Sequence, residues 1–81
     1  MIIKYFAWIK DITDKDQEEI HENYPKNIDE LKKVISNSYP SLAKHINNDV
    51  FRYAINMEYT STNQQLSPND EIAVFPPVSG G

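Results

Sequence analysis

The chain has no cysteine, and only two of its 81 residues are glycine. Without thiols there is no disulfide, no thiolate metal site and no side-chain sulfur nucleophile, so packing alone must hold the fold. That condition is demanding, because a chain this short buries only about 60–65% of the surface it exposes when unfolded. Arginine is scarcer still, with Arg52 the single copy. The lysines are scattered, and 12 acidic against 8 basic residues leave a net charge of −4. Nucleic-acid binders gather Lys and Arg on one face, so nucleic acid is not an expected partner. His21 and His45 share no ligand spacing, and no metal site is expected. The apolar opening, Met1 to Lys10, falls short of the roughly 20 residues that span a bilayer. It lacks the basic region and cleavage site of a signal peptide, so the expectation is a cytoplasmic protein with no membrane association.

What is present reads as short elements joined by polar turns. Ile2 to Ile9 is rich in β-branched and aromatic residues. Its alternation sets Ile3, Tyr5, Ala7 and Ile9 on one face and Ile2, Lys4, Phe6 and Trp8 on the other, as in a central strand. "KDITDKDQ" concentrates charge and Asp, which predicts a turn. A weaker strand signal covers Glu18 to Tyr24 and stops at Pro25. The clearest helix opens at Asn27, a good N-cap with Glu30 three residues on. Ile28, Leu31, Val34, Ile35 and Ser38 then follow the helical period. Pro40 stops or kinks this helix, and Leu42 and Ile46 suggest a further helical turn. Val50 to Asn56 alternates as a strand, "MEYTST" allows a short one, and Glu71 to Phe75 closes with Ile72 and Val74 inward.

Two strands, a helix and further strands can bury one sheet face beneath one helix. The expected class is α+β: a β-grasp, or ubiquitin-like, fold with a mixed sheet of about four or five strands on one main helix. Residues 1–75 would form the domain and residues 76–81 an extended tail.

Both glycines close the chain, in "FPPVSGG". Pro76 and Pro77 lack N–H donors and favour extended backbone, so they would carry the chain off the strand as a stiff stalk. Gly80 and Gly81 make the tip as thin as polypeptide allows, which suits a narrow channel or chemistry on the terminal carboxylate. A carboxylate resists attack until activated, for instance as an anhydride with AMP. A sulfur donor can then displace AMP and leave a thiocarboxylate, a soft nucleophile that a cysteine-free chain cannot otherwise supply. The bland alternative is a frayed end. Against it stand the absence of glycine elsewhere and the Pro-Pro link to a strand.

"LSPNDEIAVFPPVSGG", Leu66 to Gly81, resembles the C-terminus of the small, sulfur-carrying subunits of molybdopterin synthase, the MoaD family. "YFAWIKD" (Tyr5 to Asp11) is similar to that family's first strand, and "AIN" (Ala54 to Asn56) to a central one. The resemblance implies a β-grasp fold and a cycle in which an ATP-dependent, ubiquitin-activating-like adenylyltransferase adenylates Gly81. A sulfurtransferase system then converts it to a thiocarboxylate. The tail enters the large synthase subunit, in a heterotetramer, and sulfur passes to a cyclic pyranopterin phosphate precursor for molybdenum cofactor. ATP serves the activating enzyme, and no cofactor is bound by the carrier, which is a sulfur donor and not catalytic alone. On this resemblance Gly81 is the acyl carrier and Gly80 the slim approach to it. Phe75, Pro76, Pro77, Val78 and Ser79 form the stalk, and Phe6, Tyr59 and Phe75 dock on the partner. Tyr59 stands where an aliphatic residue is common, and Trp8 adds bulk beside "FA".

Rival readings with the same Gly-Gly chemistry are a thiamine-pathway sulfur carrier and a ubiquitin-like protein modifier. An independent enzyme is disfavoured, since Asp29/Glu30 and Glu18/Glu19, adjacent in sequence, read as a helix start and a solvated strand edge rather than converging acid–base pairs.

Overall fold

The computed structural model describes residues 1–60 and 62–77. Its elements in chain order are β1 (Ile2–Tyr5), α1 (Trp8–Thr13), β2 (Gln17–Glu19), α2 (Ile28–Ser38), α3 (Pro40–Asn47), β3 (Arg52–Ile55), β4 (Glu58–Thr60) and β5 (Glu71–Phe75). The strands form one mixed sheet in the order β2-β1-β5-β3-β4. β1 and β5 pair in parallel at its centre, Ile3 opposite Ile72 and Tyr5 opposite Val74, while the outer pairings are antiparallel. This is the β-grasp arrangement that the sequence pattern predicts.

Alternation along the central strands sends Ile3, Tyr5, Ile72 and Val74 to one face, where they are buried. α2 covers that face with Ile28, Leu31 and Ile35, and α3 with Leu42 and Ile46. Phe51, Tyr53 and Ile55 complete the cluster from β3 and its approach. Each fully buried aliphatic or aromatic side chain contributes about 1.5–3 kcal/mol relative to exposure. α2 starts as its cap residue dictates: the Glu30 N–H donates to Asn27 Oδ1 at 2.8 Å. Glu30 Oε1 accepts from the Lys26 N–H at 3.3 Å, one residue before the usual capping-box donor. Pro40 opens α3 at a position where its missing N–H costs nothing. Val34 is only half-buried and Ser38 is exposed, so the buried stripe of α2 is narrower than its sequence period suggests.

The opening segment departs from the strand expected over Ile2 to Ile9. β1 ends at Tyr5, and the charged "KDIT" forms part of α1 rather than a turn. Ile9 is buried, yet through a helix: with Thr13, four residues on, it forms the inward side of α1. Period-2 and period-3.6 patterns coincide over so short a run, and tertiary packing decides between them. β2 is also shorter than expected, and the chain leaves the sheet before Tyr24, whose hydroxyl donates to the His21 carbonyl at 2.8 Å.

Glu18 is not the solvated edge residue expected of it. Its Oε2 accepts from the Tyr5 hydroxyl at 2.6 Å and from the Tyr39 hydroxyl at 2.7 Å. It therefore ties the edge strand to the core strand β1 and to the α2–α3 junction. Burial, and then the bond to Glu18, push the Tyr5 phenol well above its ordinary pKa of 10.0. Burial also raises Tyr39 and Tyr53. Above pH 10 the unfolded chain loses these protons while the folded chain keeps them, so folding stability falls as pH rises. Urea midpoints should accordingly drop between about pH 10 and 12, and Tyr5→Phe, though less stable at pH 7, should show a shallower decline. Parallel curves for both proteins would remove Tyr5 as the source.

Candidate functional site: the open sheet face and the root of the tail

With every helix on one side, the opposite face of the sheet has no covering layer among the described residues. The same alternation that buries Ile72 and Val74 turns Ala73 and Phe75 outward on β5. On the neighbouring strands it turns Ala54 outward on β3 and Tyr59 on β4. Phe6 follows β1 directly, and its N–H donates to the Val74 carbonyl at 3.2 Å, which sets it beside Phe75. Together these side chains line an apolar trough of about 590 Å³ whose margin includes Pro76 and Pro77. Ala54 and Ala73, directly paired across β3 and β5, form its low floor. Tyr59 meets Phe75 edge to face, with ring centroids 5.5 Å apart. Phe6 is 46% exposed and Tyr59 77%, far above the core residues. Away from the tail on β1 and β5 the Lys4 ammonium and Glu71 carboxylate pair at 3.1 Å, a charged margin outside the trough.

Three residues expected to meet a partner, Phe6, Tyr59 and Phe75, thus share one surface, with Pro76 and Pro77 leading away from it. Val78, Ser79, Gly80 and Gly81 lie outside the described residues. Trp8 does not continue the Phe6 face as strand alternation would have it. It sits on α1 with its ring 4.9 Å from His45 and 5.5 Å from Phe51, on the helical side of the sheet. The turn at Ala7, φ 55° and ψ −138°, separates Phe6 from Trp8 in this way. Met57, Ala54 and Ala73 also line the trough, and sequence reasoning did not single them out. The outward phase of the two alanines was readable from their buried neighbours. The position of Met57 was not, because it depends on how the β3–β4 hairpin turns.

That hairpin reverses over Asn56 and Met57, both at positive φ (50° and 72°). Among two-residue hairpin turns the type I′ form requires this, and Asn-Gly is its preferred sequence. Asn56 also fixes the turn: its Nδ2 donates to Asp70 Oδ1 at 2.9 Å, and its Oδ1 accepts from the Glu71 N–H at 3.0 Å. The "AIN" segment therefore owes its asparagine to backbone conformation and to a clamp between two strand connections.

A larger cleft of about 730 Å³ lies between α2, the end of α3 and β3–β4, lined by charges of both signs, Asp29 and Asp49 with Lys32 and Arg52. Lys32 approaches Asp49 at 3.9 Å, and Arg52 Nη1 donates to the Asp49 and Phe51 carbonyls. Its one orphan is the buried Tyr53 hydroxyl, whose phenol burial raises and the nearby Asp49 charge raises further. Among the described residues, no cluster of three or more His, Asp or Glu could hold a metal ion, and no helix is long and apolar enough to cross a membrane.

Residues 3–81 match the ThiS family. The chain belongs to that family. Among its relatives, a human protein named molybdopterin synthase sulfur carrier subunit is 39% identical, with 98% of this chain and 91% of the relative aligned. A Dictyostelium discoideum protein of the same name is 36% identical, over 98% and 93% of the two chains. A solved structure from Pyrococcus furiosus, described as a candidate molybdopterin converting factor subunit 1, superposes with a TM-score of 0.80. It has 25% identity and 95% coverage of both chains. The recognition of a molybdopterin synthase carrier type and of the ubiquitin-like β-grasp fold is thereby supported from sequence and structure alike.

The backbone at Ala7 is testable in isolation. A non-glycine residue in so sparsely populated a conformation costs about 1–3 kcal/mol. Ala7→Gly should therefore raise unfolding free energy by about 1 kcal/mol, read as a higher urea midpoint at unchanged slope. A lower midpoint would show that Ala7 is not strained.

Proposed function

We propose that this chain is the sulfur carrier of a molybdopterin synthase. The observation that carries the reading is the apolar trough at the root of the tail. It is a docking surface set where the chain leaves the sheet through Pro76 and Pro77 toward Gly80 and Gly81. The names of the relatives support the same assignment.

In this reading residues 1–75 are the docking body and residues 76–81 the reactive arm. An adenylyltransferase of the ubiquitin-activating type binds the body, and the Gly81 carboxylate attacks the α-phosphate of ATP, releasing pyrophosphate. A sulfur nucleophile delivered by a sulfurtransferase system adds to the acyl-adenylate carbonyl and expels AMP. The product is a C-terminal thiocarboxylate. The charged carrier then docks on the large synthase subunit through Phe6, Tyr59 and Phe75, and Val78 and Ser79 lead the tip into its active site. Sulfur passes there to the pyranopterin precursor, and the carrier returns as a carboxylate. Aromatic anchors of this kind supply most of the energy of an interface, while their surroundings exclude water. No cofactor is needed on the carrier itself. Gly80 and Gly81 serve by having no side chain to obstruct adenylation or the partner's channel.

Incubation with the activating enzyme, ATP and a sulfur donor should exchange one terminal oxygen for sulfur, seen in the intact mass of the wild type and absent when Gly81 is deleted. An unchanged wild-type mass with demonstrably active enzyme would overturn the carrier function. The charged protein should then convert the pyranopterin precursor when the large synthase subunit is added. Charging without conversion would redirect the sulfur to another acceptor, as in thiamine synthesis, and transfer to lysines would mark a protein modifier.

A further inference from the structure

Six non-glycine residues among those described have positive φ. Asp14, Asn23, Asp49 and Asn56 are of the types that tolerate the left-handed region, because a short polar side chain can bond locally. The other two are Ala7 and Met57. Both line the apolar trough, at diagonally opposite corners of the sheet face. Ala7 follows β1 at the tail end, and Met57 closes the β3–β4 turn at the far end. Backbone strain without a tolerant side chain is thus confined to this one surface. Strain of this kind persists where the surroundings over-determine it, and it clusters at binding and catalytic sites.

Met57 adds a second anomaly. The residue is 91% exposed, so packing within the chain gives no reason for an apolar residue there. The turn itself favours Asn or Gly, which would adopt the same backbone more readily. A thioether on three rotatable bonds is adaptable and polarizable, a common choice at binding surfaces. The clamp from Asn56 to Asp70 and Glu71 holds the turn, so Met57 is presented from a fixed backbone.

We propose that Met57 is a docking contact of the carrier, its side chain closing the outer end of the trough over an apolar side chain of the large synthase subunit that receives the tail. The inference rests on the carrier reading above and extends its interface from the tail root across the whole apolar trough. The partner surface that fits is a convex aliphatic or aromatic ridge, without a charge aimed at the trough, since the Lys4–Glu71 pair at its far margin is already self-satisfied.

The test is calorimetric titration of the full-length carrier into the purified large synthase subunit from the same source. Met57→Asn suits the turn and removes the apolar side chain, so it should raise the melting temperature and weaken binding by roughly fivefold or more. Met57→Leu keeps the apolar bulk and should bind within about twofold of wild type. A Met57→Asn affinity equal to wild type overturns the proposal, as does a Met57→Leu loss as large as that of Met57→Asn. Phe6→Ala tests the trough separately. A loss with Phe6→Ala alone removes only Met57 from the interface, whereas no loss with either variant removes the sheet face as the docking surface and with it that part of the carrier reading.

Discussion

The parallel pairing of β1 with β5 is the constraint on which the rest of the molecule depends. It joins the first strand of the chain to the last, so the single core closes only when both ends are present. Loop-closure entropy must be overcome before that pairing contributes, and burial of Ile3, Tyr5, Ile72 and Val74 beneath α2 and α3 supplies the compensation. The same register places Phe6 beside Phe75. It therefore assembles the apolar trough at the point where the tail departs.

A chain of this size has little room for separate structural and functional layers. Here the two faces of one sheet divide the work by alternation. Ile72 and Val74 hold the fold, and Ala73 and Phe75, their immediate neighbours, line the open apolar face. Glu18 plays a comparable linking part at the far edge, where two tyrosine hydroxyls bind one carboxylate oxygen and join β2 to β1 and to the start of α3. The near absence of glycine leaves the turns to Asp and Asn, and where neither is used, at Ala7 and Met57, the backbone carries strain beside the apolar trough. Keeping glycine for the tip is consistent with the tail chemistry, since only there does the proposed mechanism need an unobstructed backbone.

Much of this was determined by the sequence alone. Alternation in "EIAVF", the cap at Asn27 with the stripe Ile28–Leu31–Ile35, and Pro40 between two helical runs are local signals, and each acts through neighbours a few residues away. The motif at the C-terminus is likewise carried by residue types in order: proline for stiffness, glycine for slimness. Only the tertiary structure decided that "WIKDIT" is a helix and not the end of a strand, because Ile9 is an inward apolar residue under either period. It alone made Glu18 a core anchor, since its tyrosine partners stand 13 and 21 residues away. It alone brought Met57 to the trough, because a side chain reaches a shared surface through strand register and turn geometry, which no local pattern encodes.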